Sequence, residues 1–184
     1  MRVIIGITGA SGSIYGISTL RVLASLGVET HLVVTKTGEQ VINHECGVTR
    51  KDLEAYAKWH NIDNLFAPIA SGSFKTDAMV IVPCSMRTLG SLASGNGDNL
   101  MNRAADVMLK ERRKLILVPR ETPLSSIHLE NMLKLSNAGA HIVPASPAFY
   151  HLPQDMSQLI SFVVGKVIDT LGIDHNLFPR WGED

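Results

Sequence analysis

Arg120 and Glu121 follow, after a single proline, an apolar run, KLILV at 114–118, that has the composition of a strand buried on both faces. Burying either charged group without a partner is costly, so each must pair with another residue, reach solvent or contact a ligand. This position is therefore a candidate functional site, and the rest of the sequence must decide among the three possibilities.

Small hydroxyl side chains stand at the equivalent place after other apolar runs. Ser11, Thr35, Ser85 and Thr88 each lie just past the end of such a run. In open α/β sheets, ligands bind outside the carboxyl ends of the strands. Several hydroxyl groups and an arginine at these ends indicate a site for a phosphorylated or heteroaromatic ligand.

The segment GITGASGSIYG (6–16) is a glycine-rich turn from a strand into a helix. Its backbone N–H groups and the helix dipole favour an anion or a polar ligand edge, although a tight turn without a ligand remains an alternative. The spacing matches neither GxGxxG nor a Walker loop. Thr35-Lys36 stand where an acidic residue would grip an adenosine ribose, so an NAD site is disfavoured.

Alternating strand and helix patterns predict the fold class. The apolar runs VIIGI, THLVV, AMVIV, KLILV and AHIV lie at 3–7, 30–34, 78–82, 114–118 and 140–143. Helical patterns lie between and after them, at 13–26, 37–45, 86–94, 99–112, 124–138 and 155–172. This order predicts an α/β protein with a doubly wound, mostly parallel sheet, a Rossmann-like or flavodoxin-like three-layer sandwich.

The chain is expected to be a single domain, 1–184, without repeats or linkers. The irregular segment 57–77 is expected to be a loop over the sheet, and three strands are expected to end just before a proline, at Pro83, Pro119 and Pro144. The tail at about 173–184 places Trp181 in a polar setting, which suggests docking on a neighbouring subunit or a frayed terminus.

Composition excludes several classes of function. Seventeen basic residues balance seventeen acidic ones, which argues against a nucleic-acid ligand, and no apolar run is long enough to cross a membrane. Cys46 and Cys84 form neither a metal spacing nor a disulfide framework, and the seven histidines show no ligand spacing. GxSxG is absent, which argues against a Ser/His/Asp hydrolase. We therefore expect a cytoplasmic protein without a metal site.

Arg103 and Lys110 lie seven residues apart on one predicted helix, with Asp106 between them on the same face. An exposed, salt-bridged helix face is the ordinary explanation for this spacing. Two cations placed near a phosphate are the alternative, and the pattern alone does not separate the two.

Glu45, Tyr150 and Lys166 also have two interpretations each. Glu45 ends an apolar helix as a solvated carboxylate or as a site residue. Tyr150 lies in the proline-bounded loop PAFYHLPQ (147–154), where it forms a pocket wall or packs the loop. Lys166 lies among apolar residues, and its ammonium group reaches either solvent or an anion.

Several segments together resemble the UbiX-type flavin prenyltransferases, a family formerly classed as aromatic acid decarboxylases. The segments are TGASGSIYG, PCSMRTL, NRAADVMLKERRKLILVPRETPLSSIHLENMLKLSNAGA, PAFYHLPQ and FPRW. The likeness runs from residue 3 to residue 182, and RAADVMLKERR followed by LVPRETP is its most specific part. Only 47–70 is nondescript.

The resemblance implies a Rossmann-like homo-oligomer, a dodecamer, that binds reduced FMN as prenyl acceptor. Members of the family transfer a dimethylallyl group from dimethylallyl monophosphate to flavin N5 and C6 without a metal. The product, prenylated FMN, is the cofactor of UbiD-type decarboxylases, which are the implied partners. The resemblance implies neither a nucleic-acid ligand nor a membrane.

The resemblance also assigns site residues. The flavin site would comprise Gly9, Ala10, Ser11, Thr35, Ser85, Met86, Arg87, Thr88 and Arg120. The prenyl phosphate site would comprise Arg103, Lys110, Arg120, Glu121, Tyr150, Lys166 and Trp181. The catalytic residues would be Ser11, Glu45, Lys110 and Glu121.

Glu121 would protonate the departing phosphate, while cations stabilise its charge. Burial favours the protonated carboxyl group and nearby cations oppose it, so its protonation state stays open. Thr122 and Pro123 are expected to begin the next helix as its N-cap and first residue. Lys166 stands where the family frequently has arginine, which leaves the choice between monophosphate and diphosphate donors open.

Two other functions compete with this interpretation. One is a flavin-dependent decarboxylase acting on a cysteine-type substrate, whose PxMNxxMW-type segment and early catalytic histidine are missing here. The other is a non-catalytic FMN-binding carrier subunit. Retention of Glu45, Lys110, Arg120 and Glu121 counts against a carrier, because flavin binding alone does not need all four.

Overall fold

Six parallel strands form one sheet in the computed structural model, which describes residues 1–182; Glu183 and Asp184, the end of the predicted tail, lie outside the described residues. The strands are β1 (Arg2–Ile7), β2 (Glu29–Val34), β3 (Lys58–His60), β4 (Ala78–Cys84), β5 (Lys114–Pro119) and β6 (His141–Ile142). Their order is β3-β2-β1-β4-β5-β6, and every neighbouring pair is parallel. This confirms the doubly wound α/β fold, with its topological switch point between β1 and β4.

Helices cover both faces of the sheet. They are α1 (Ser13–Ser25), α2 (Lys36–Cys46), α3 (Arg50–Glu54), α4 (Met86–Ala93), α5 (Leu100–Lys110), α6 (Ser126–Asn137) and α7 (Met156–Leu171), with a 3-10 turn at Pro68–Ala70. Val3 and Ile5 pack with α1 and α7, whereas Ile4 packs with α4 and α5 on the other face. Burying each of these aliphatic side chains stabilises the fold by about 1.5–3 kcal/mol. Because both faces of each strand are buried, consecutive residues are apolar, and the strands appear in the sequence as continuous apolar runs.

The structure corrects two expectations about the sheet. The segment 57–77 is not wholly a loop, because Lys58–His60 form edge strand β3, paired with β2. Three residues with one apolar side chain do not produce a strand pattern, so the sequence could not reveal it. Pro83 and Pro119 also lie within β4 and β5 instead of after them, and the β4–β5 register shifts between Ile81 and Cys84 to accommodate this.

The start of α6 was also wrongly predicted. The N-cap is Ser125, whose Oγ accepts a hydrogen bond from His128 N at 3.3 Å, while Ser125 N donates to His128 Nδ1 at 3.3 Å. This reciprocal pair satisfies the backbone N–H groups of both Ser125 and His128. The helix therefore begins after Ser125 and not at Thr122-Pro123. Thr122 and Pro123 therefore belong to the connection after β5.

A buried histidine pair joins the two outermost strands on the β3 side of the sheet. His31 Nδ1 lies 2.8 Å from His60 Nε2, and His31 Nε2 lies 3.0 Å from Glu29 Oε1, which also pairs with Arg2 at 2.7 Å. Burial, together with the nearby His31 and Lys58, lowers the pKa of His60 to about 4. His60 thus links β3 to β2 in its neutral form.

We expect stability to fall in mild acid because of His60. Its folded-state pKa lies below the ordinary 6.5, so its contribution is complete above pH 6.5 and is lost as pH falls towards about 4. The expected slope is at most about 1.4 kcal/mol per pH unit. Urea unfolding of the parent and His60→Gln across this range should show a flatter slope for the variant. The exposed-site control His141→Gln should keep the parent slope, and an unchanged slope in His60→Gln would contradict the assignment.

None of the helices in residues 1–182 combines the length and apolar character needed to span a membrane.

Candidate functional site

A cavity of about 460 Å³ opens where the carboxyl ends of β1, β2 and β4 meet. Its lining residues are Gly9, Thr35, Lys36, Thr37, Ile62, Asp63, Ser85, Arg87, Thr88, Ser91, Asp98, Asn99, Met101 and Asn102. The predicted positions among them are Gly9, Thr35, Ser85, Arg87 and Thr88. The other predicted flavin-site positions, Ala10, Ser11, Met86 and Arg120, are not among the lining residues. Sequence and structure therefore agree on the location of the cavity and differ on part of its wall.

Three helices begin at this cavity, each with a lining residue as N-cap. Thr35 Oγ1 accepts from Gly38 N at 3.0 Å, and Ser85 Oγ accepts from Thr88 N at 3.3 Å. Asn99 Oδ1 accepts from Asn102 N at 3.0 Å at the start of α5. The positive ends of α2, α4 and α5 consequently point towards one space, which favours a ligand rich in anionic and carbonyl oxygens.

Glu45 caps the N-terminus of α1, the helix that follows the glycine-rich loop after β1. The N-cap of α1 is Gly12, which has no side chain, and Glu45 Oε2 instead accepts from Gly12 N at 3.0 Å, Ser13 N at 2.9 Å and Ser13 Oγ at 2.7 Å. Partial burial raises the pKa of Glu45, but hydrogen bonds from Ser11, Ser13 and Gly12 outweigh it, and the net pKa lies below its ordinary value. Although Glu45 is exposed, its carboxylate thus fixes the loop that follows β1.

Arg120 reaches the same loop from the opposite side of the switch point. Its Nε donates to the carbonyl oxygen of Ser11 at 2.8 Å. Glu121 is exposed, and its Oε1 accepts from Thr122 N at 3.0 Å. The sequence left three possibilities for each of these charged groups: a protein partner, solvent or a ligand. In the single protomer Arg120 has a protein partner, whereas Glu121 reaches solvent.

Arg103 and Lys110 have protein partners away from the cavity. Arg103 Nη1 pairs with Asp106 Oδ2 at 2.8 Å, the ion pair expected on this helix face, and Arg103 Nε donates to Ala70 O at 3.1 Å. Lys110 pairs with Glu111. Because α5 begins at the cavity and runs away from it, Lys110 lies about 12 Å along the helix axis from Asn102, the last residue of α5 in the cavity wall. A single protomer does not bring these two cations to the cavity.

Tyr150 and Trp181 form part of an aromatic cluster between the 147–154 loop and the tail. The Tyr150 hydroxyl donates to Pro179 O at 3.2 Å, and its ring meets Trp181 edge-on at 5.3 Å and Phe162 at 6.0 Å. Trp181 is nevertheless 80% exposed. The described part of the tail therefore packs on its own protomer and presents an indole ring at the surface.

Lys166 lies beside this cluster in a small charge network. Its Nζ is 3.6 Å from Asp169 Oδ2, and Asp169 also binds Arg180 through two hydrogen bonds of 2.8 and 3.2 Å and His175 at 3.1 Å. Partial burial raises the pKa of Asp169, but Arg180 and the other cations outweigh it and the net pKa is lowered. One carboxylate thus pairs with several cationic groups, and Lys166 combines this protein partner with a half-exposed side chain.

The cysteines have structural surroundings. Cys84 is completely buried, and burial raises the pKa of its thiol to about 12, so it is no nucleophile. Cys46 Sγ lies 3.5 Å from Ser13 Oγ beside the Glu45 contact. Among residues 1–182, no group of three or more histidine, cysteine, aspartate and glutamate side chains is arranged to hold a metal ion.

Comparison with known proteins identifies the family of this chain. The family model described as "Flavoprotein" matches residues 1–168. The flavin prenyltransferase UbiX of Halalkalibacterium halodurans is 51% identical over 98% of this chain and 93% of its own length. That of Methanocaldococcus jannaschii is 50% identical over 99% of both chains.

The chain belongs to the UbiX family of flavin prenyltransferases.

Solved structures of the family superimpose over nearly the whole chain. AnUbiX, crystallised with FMN and dimethylallyl pyrophosphate, is 48% identical and superimposes with a TM-score of 0.97 over 98% of this chain and 97% of its own. A dodecameric, FMN-dependent UbiX-like decarboxylase from Escherichia coli O157:H7 is 47% identical, with a TM-score of 0.96 over 98% and 99% of the two chains. A PPC decarboxylase is only 19% identical, with a TM-score of 0.64, and shares the fold alone.

Several wall residues were missed by the sequence interpretation. Lys36 Nζ pairs with Asp63 Oδ2 at 3.0 Å across the rim, and Asp98, Asn99 and Asn102 line the cavity from the start of α5. The polar turn NGDN (96–99) is the available signal, because it precedes a helix that must begin at the carboxyl edge of the sheet. Asp63 follows the short strand β3, which had no recognisable pattern.

Proposed function

We propose that this chain joins a dimethylallyl group, taken from dimethylallyl monophosphate, to N5 and C6 of reduced FMN and so produces prenylated FMN. The observation that carries the proposal is the 48% identity and near-complete superposition with AnUbiX, which was crystallised with FMN and a dimethylallyl donor. When bound, reduced FMN supplies the electron-rich ring positions that accept the prenyl group. The protein must bind both molecules, exclude water and manage the departing phosphate.

The chemistry of the cavity wall suits FMN. Three helix N-termini and the hydroxyl groups of Thr35 and Thr88 provide donors for the phosphate and for the carbonyl edge of the ring, while Ser85 Oγ donates to Thr88 Oγ1 at 3.1 Å and so orients that hydroxyl. Arg87 adds a cation at the same wall. Because Gly9 has no side chain, Thr37 can pack directly against it at the rim of the cavity; a Cβ on residue 9 would lie only 2.6 Å from Thr37 Cγ2. Among the remaining residues proposed for the flavin, Ala10, Ser11, Met86 and Arg120 would act from the edges of this cavity.

The Gly9 rim provides a direct test of the flavin site. Gly9→Ala should weaken FMN binding by about tenfold, because the new methyl group can be accommodated only by moving Thr37 into the cavity or shifting the loop. Removing the obstructing side chain in Gly9→Ala/Thr37→Gly should restore most of the affinity. Quenching of flavin fluorescence gives the dissociation constants. Equal affinities for parent and Gly9→Ala would remove the glycine loop from the flavin site.

Cationic side chains would stabilise the charge that develops as the allylic C–O bond breaks. We assign this role to Arg120 and Lys166, with Tyr150 and Trp181 as aromatic walls for the prenyl group. Glu121 would give its proton to the leaving phosphate. Glu45 holds the loop carrying Ser11, and both would act at the flavin edge where the new bonds form.

Arg103 and Lys110 would complete the site of a neighbouring protomer. Neither lines the cavity of its own chain, and the Escherichia coli relative is dodecameric. We therefore propose a homododecamer in which the two cations face the prenyl phosphate of an adjacent copy, and in which the exposed Trp181 also docks on a neighbour.

A Lys110→Met chain mixed with a Glu121→Gln chain should then regain activity by forming sites with both residues intact, whereas each homo-oligomer alone should not.

Mass spectrometry of the flavin tests the proposed reaction. The purified chain is incubated anaerobically with reduced FMN and dimethylallyl monophosphate, and in parallel with the pyrophosphate. In the incubation with the monophosphate, the mass of the flavin is expected to increase by one isoprene unit, whether or not the pyrophosphate gives the same product. Unmodified flavin with both donors would overturn the proposal and favour a carrier. Release of carbon dioxide from a cysteine-type peptide would favour the decarboxylase alternative.

We further propose that a UbiD-type decarboxylase receives the product, in the cytoplasm. This proposal rests on the chemistry of prenylated FMN, a modified cofactor that has use only in an enzyme that binds it. Adding the reaction mixture to a flavin-free UbiD-type decarboxylase should restore its activity, whereas a mixture lacking the prenyl donor should not. No restoration by the complete mixture would contradict this partner.

A further inference from the structure

Asn102 is a buried polar residue of the cavity wall to which neither the sequence nor the family resemblance assigns a role. It lies in the first turn of α5, its side chain and backbone together are only 3% exposed, and it lines the cavity. Buried amide side chains almost always have their hydrogen-bonding atoms satisfied. Its partners therefore reveal what the cavity is built to hold.

Neighbouring acceptors determine the orientation of the Asn102 amide. Its Nδ2 donates to Ser91 Oγ at 2.8 Å and to Asp98 Oδ1 at 3.2 Å. The Asp98 carboxylate can only accept hydrogen bonds, so the nitrogen of the amide must face it. Both amide hydrogens are thereby used within the protein.

The carbonyl oxygen of the same amide has no such partner. Among residues 1–182, no donor forms a hydrogen bond with Asn102 Oδ1, although the residue is almost completely buried. This oxygen is also not sealed in the protein, since the fully enclosed side-chain atoms that lack a partner within the same residues are the ring nitrogens of His151. Oδ1 is therefore the polar atom that Asn102 can offer to a ligand in the cavity, and it can only accept a hydrogen bond.

We propose that Asn102 Oδ1 accepts a hydrogen bond from an N–H or O–H donor of the flavin and so helps to select FMN, an inference that rests on the proposed flavin site. Oxidised FMN has two kinds of donor, the N3–H group of the ring and the hydroxyl groups of the ribityl chain. The dianionic phosphate and the ring carbonyls have none and cannot satisfy this oxygen. Ser91 and Asp98 act as positioning residues by holding the amide.

Binding of flavin analogues tests this contact without using catalysis. Dissociation constants for oxidised FMN, for N3-methylated FMN and for an analogue with a deoxygenated ribityl chain are measured by fluorescence quenching on the flavin-free full chain. The parent is expected to bind one analogue about tenfold more weakly than FMN. Asn102→Leu, which has a similar size but lacks the acceptor, should bind FMN about tenfold more weakly and lose the discrimination against that analogue.

The identity of the discriminated analogue decides between the two donors. Loss of discrimination against the N3-methylated compound assigns the ring N–H, and loss against the deoxygenated compound assigns a ribityl hydroxyl. Asn102→Ala, which adds no branched bulk, serves as a second variant if Asn102→Leu does not fold. If Asn102 had only a structural role, the substitution would weaken the binding of all three ligands by the same factor, and that result would overturn the inference. Unchanged binding in the variant, or no binding of FMN by the parent, would also overturn it. Normal FMN discrimination with no prenyl transfer would instead overturn the proposed reaction and leave the Asn102 contact standing.

Discussion

Glu121→Gln is expected to lower the rate of prenyl transfer by about 100-fold or more, with FMN affinity and stability unchanged. The side chain is exposed, and its Oε1 accepts one hydrogen bond, from Thr122 N at 3.0 Å. Glutamine keeps that acceptor and the shape of the side chain but cannot give a proton to the departing phosphate. The rate is measured anaerobically with reduced FMN and dimethylallyl monophosphate by following the mass of the flavin.

The matched control for this prediction is Glu130→Gln, which neutralises an exposed glutamate on α6. It should keep the parent rate, because it lies outside both predicted sites. Turnover of Glu121→Gln equal to that of the parent would remove Glu121 as the proton donor. Measuring both variants with the pyrophosphate donor also shows whether protonation matters less for the better leaving group.

Glu45→Ala should lower the free energy of unfolding by about 1–2 kcal/mol and reduce prenyl transfer at the same time. The substitution removes the acceptor of Gly12 N, Ser13 N and Ser13 Oγ and leaves the N-terminus of α1 without a cap. The loop that carries Ser11 then loses one of its two anchors, the other being Arg120. Urea unfolding and the mass-spectrometric assay measure the two effects.

The pH dependence of stability separates the charge of Glu45 from its hydrogen bonds. Because the folded-state pKa lies below the ordinary 4.5, the charge contributes stability that is complete above pH 4.5 and is lost as pH falls through the lowered value. Glu45→Gln should flatten this acid-side loss. Glu54→Gln, which breaks an exposed pair with Arg50, should change it little, and the same acid response in the parent and Glu45→Gln would contradict the capping role.

The location of the site was predictable because it follows from local patterns. Thr35 and Ser85 are hydroxyl residues at strand ends, and each is also the N-cap of the next helix, so one short stretch of sequence specifies both features. The strand β3 and the start of α6 were not predictable in this way. A three-residue edge strand is formed by pairing with β2, and Ser125 is chosen as cap by its reciprocal contact with His128.

By itself, the sequence determined the α/β class, the alternation of strands and helices and the family, because apolar runs, turn residues and a long specific motif are written locally. Tertiary structure decided which of these residues meet. Glu45 caps a helix that begins more than thirty positions earlier in the chain, and Arg120 binds the carbonyl of Ser11 across a separation of 109 residues. It also separated Arg103 and Lys110 from the cavity and left Asn102 Oδ1 without a partner among the described residues. Such pairings depend on strand order and helix direction, which place distant segments at one edge of the sheet.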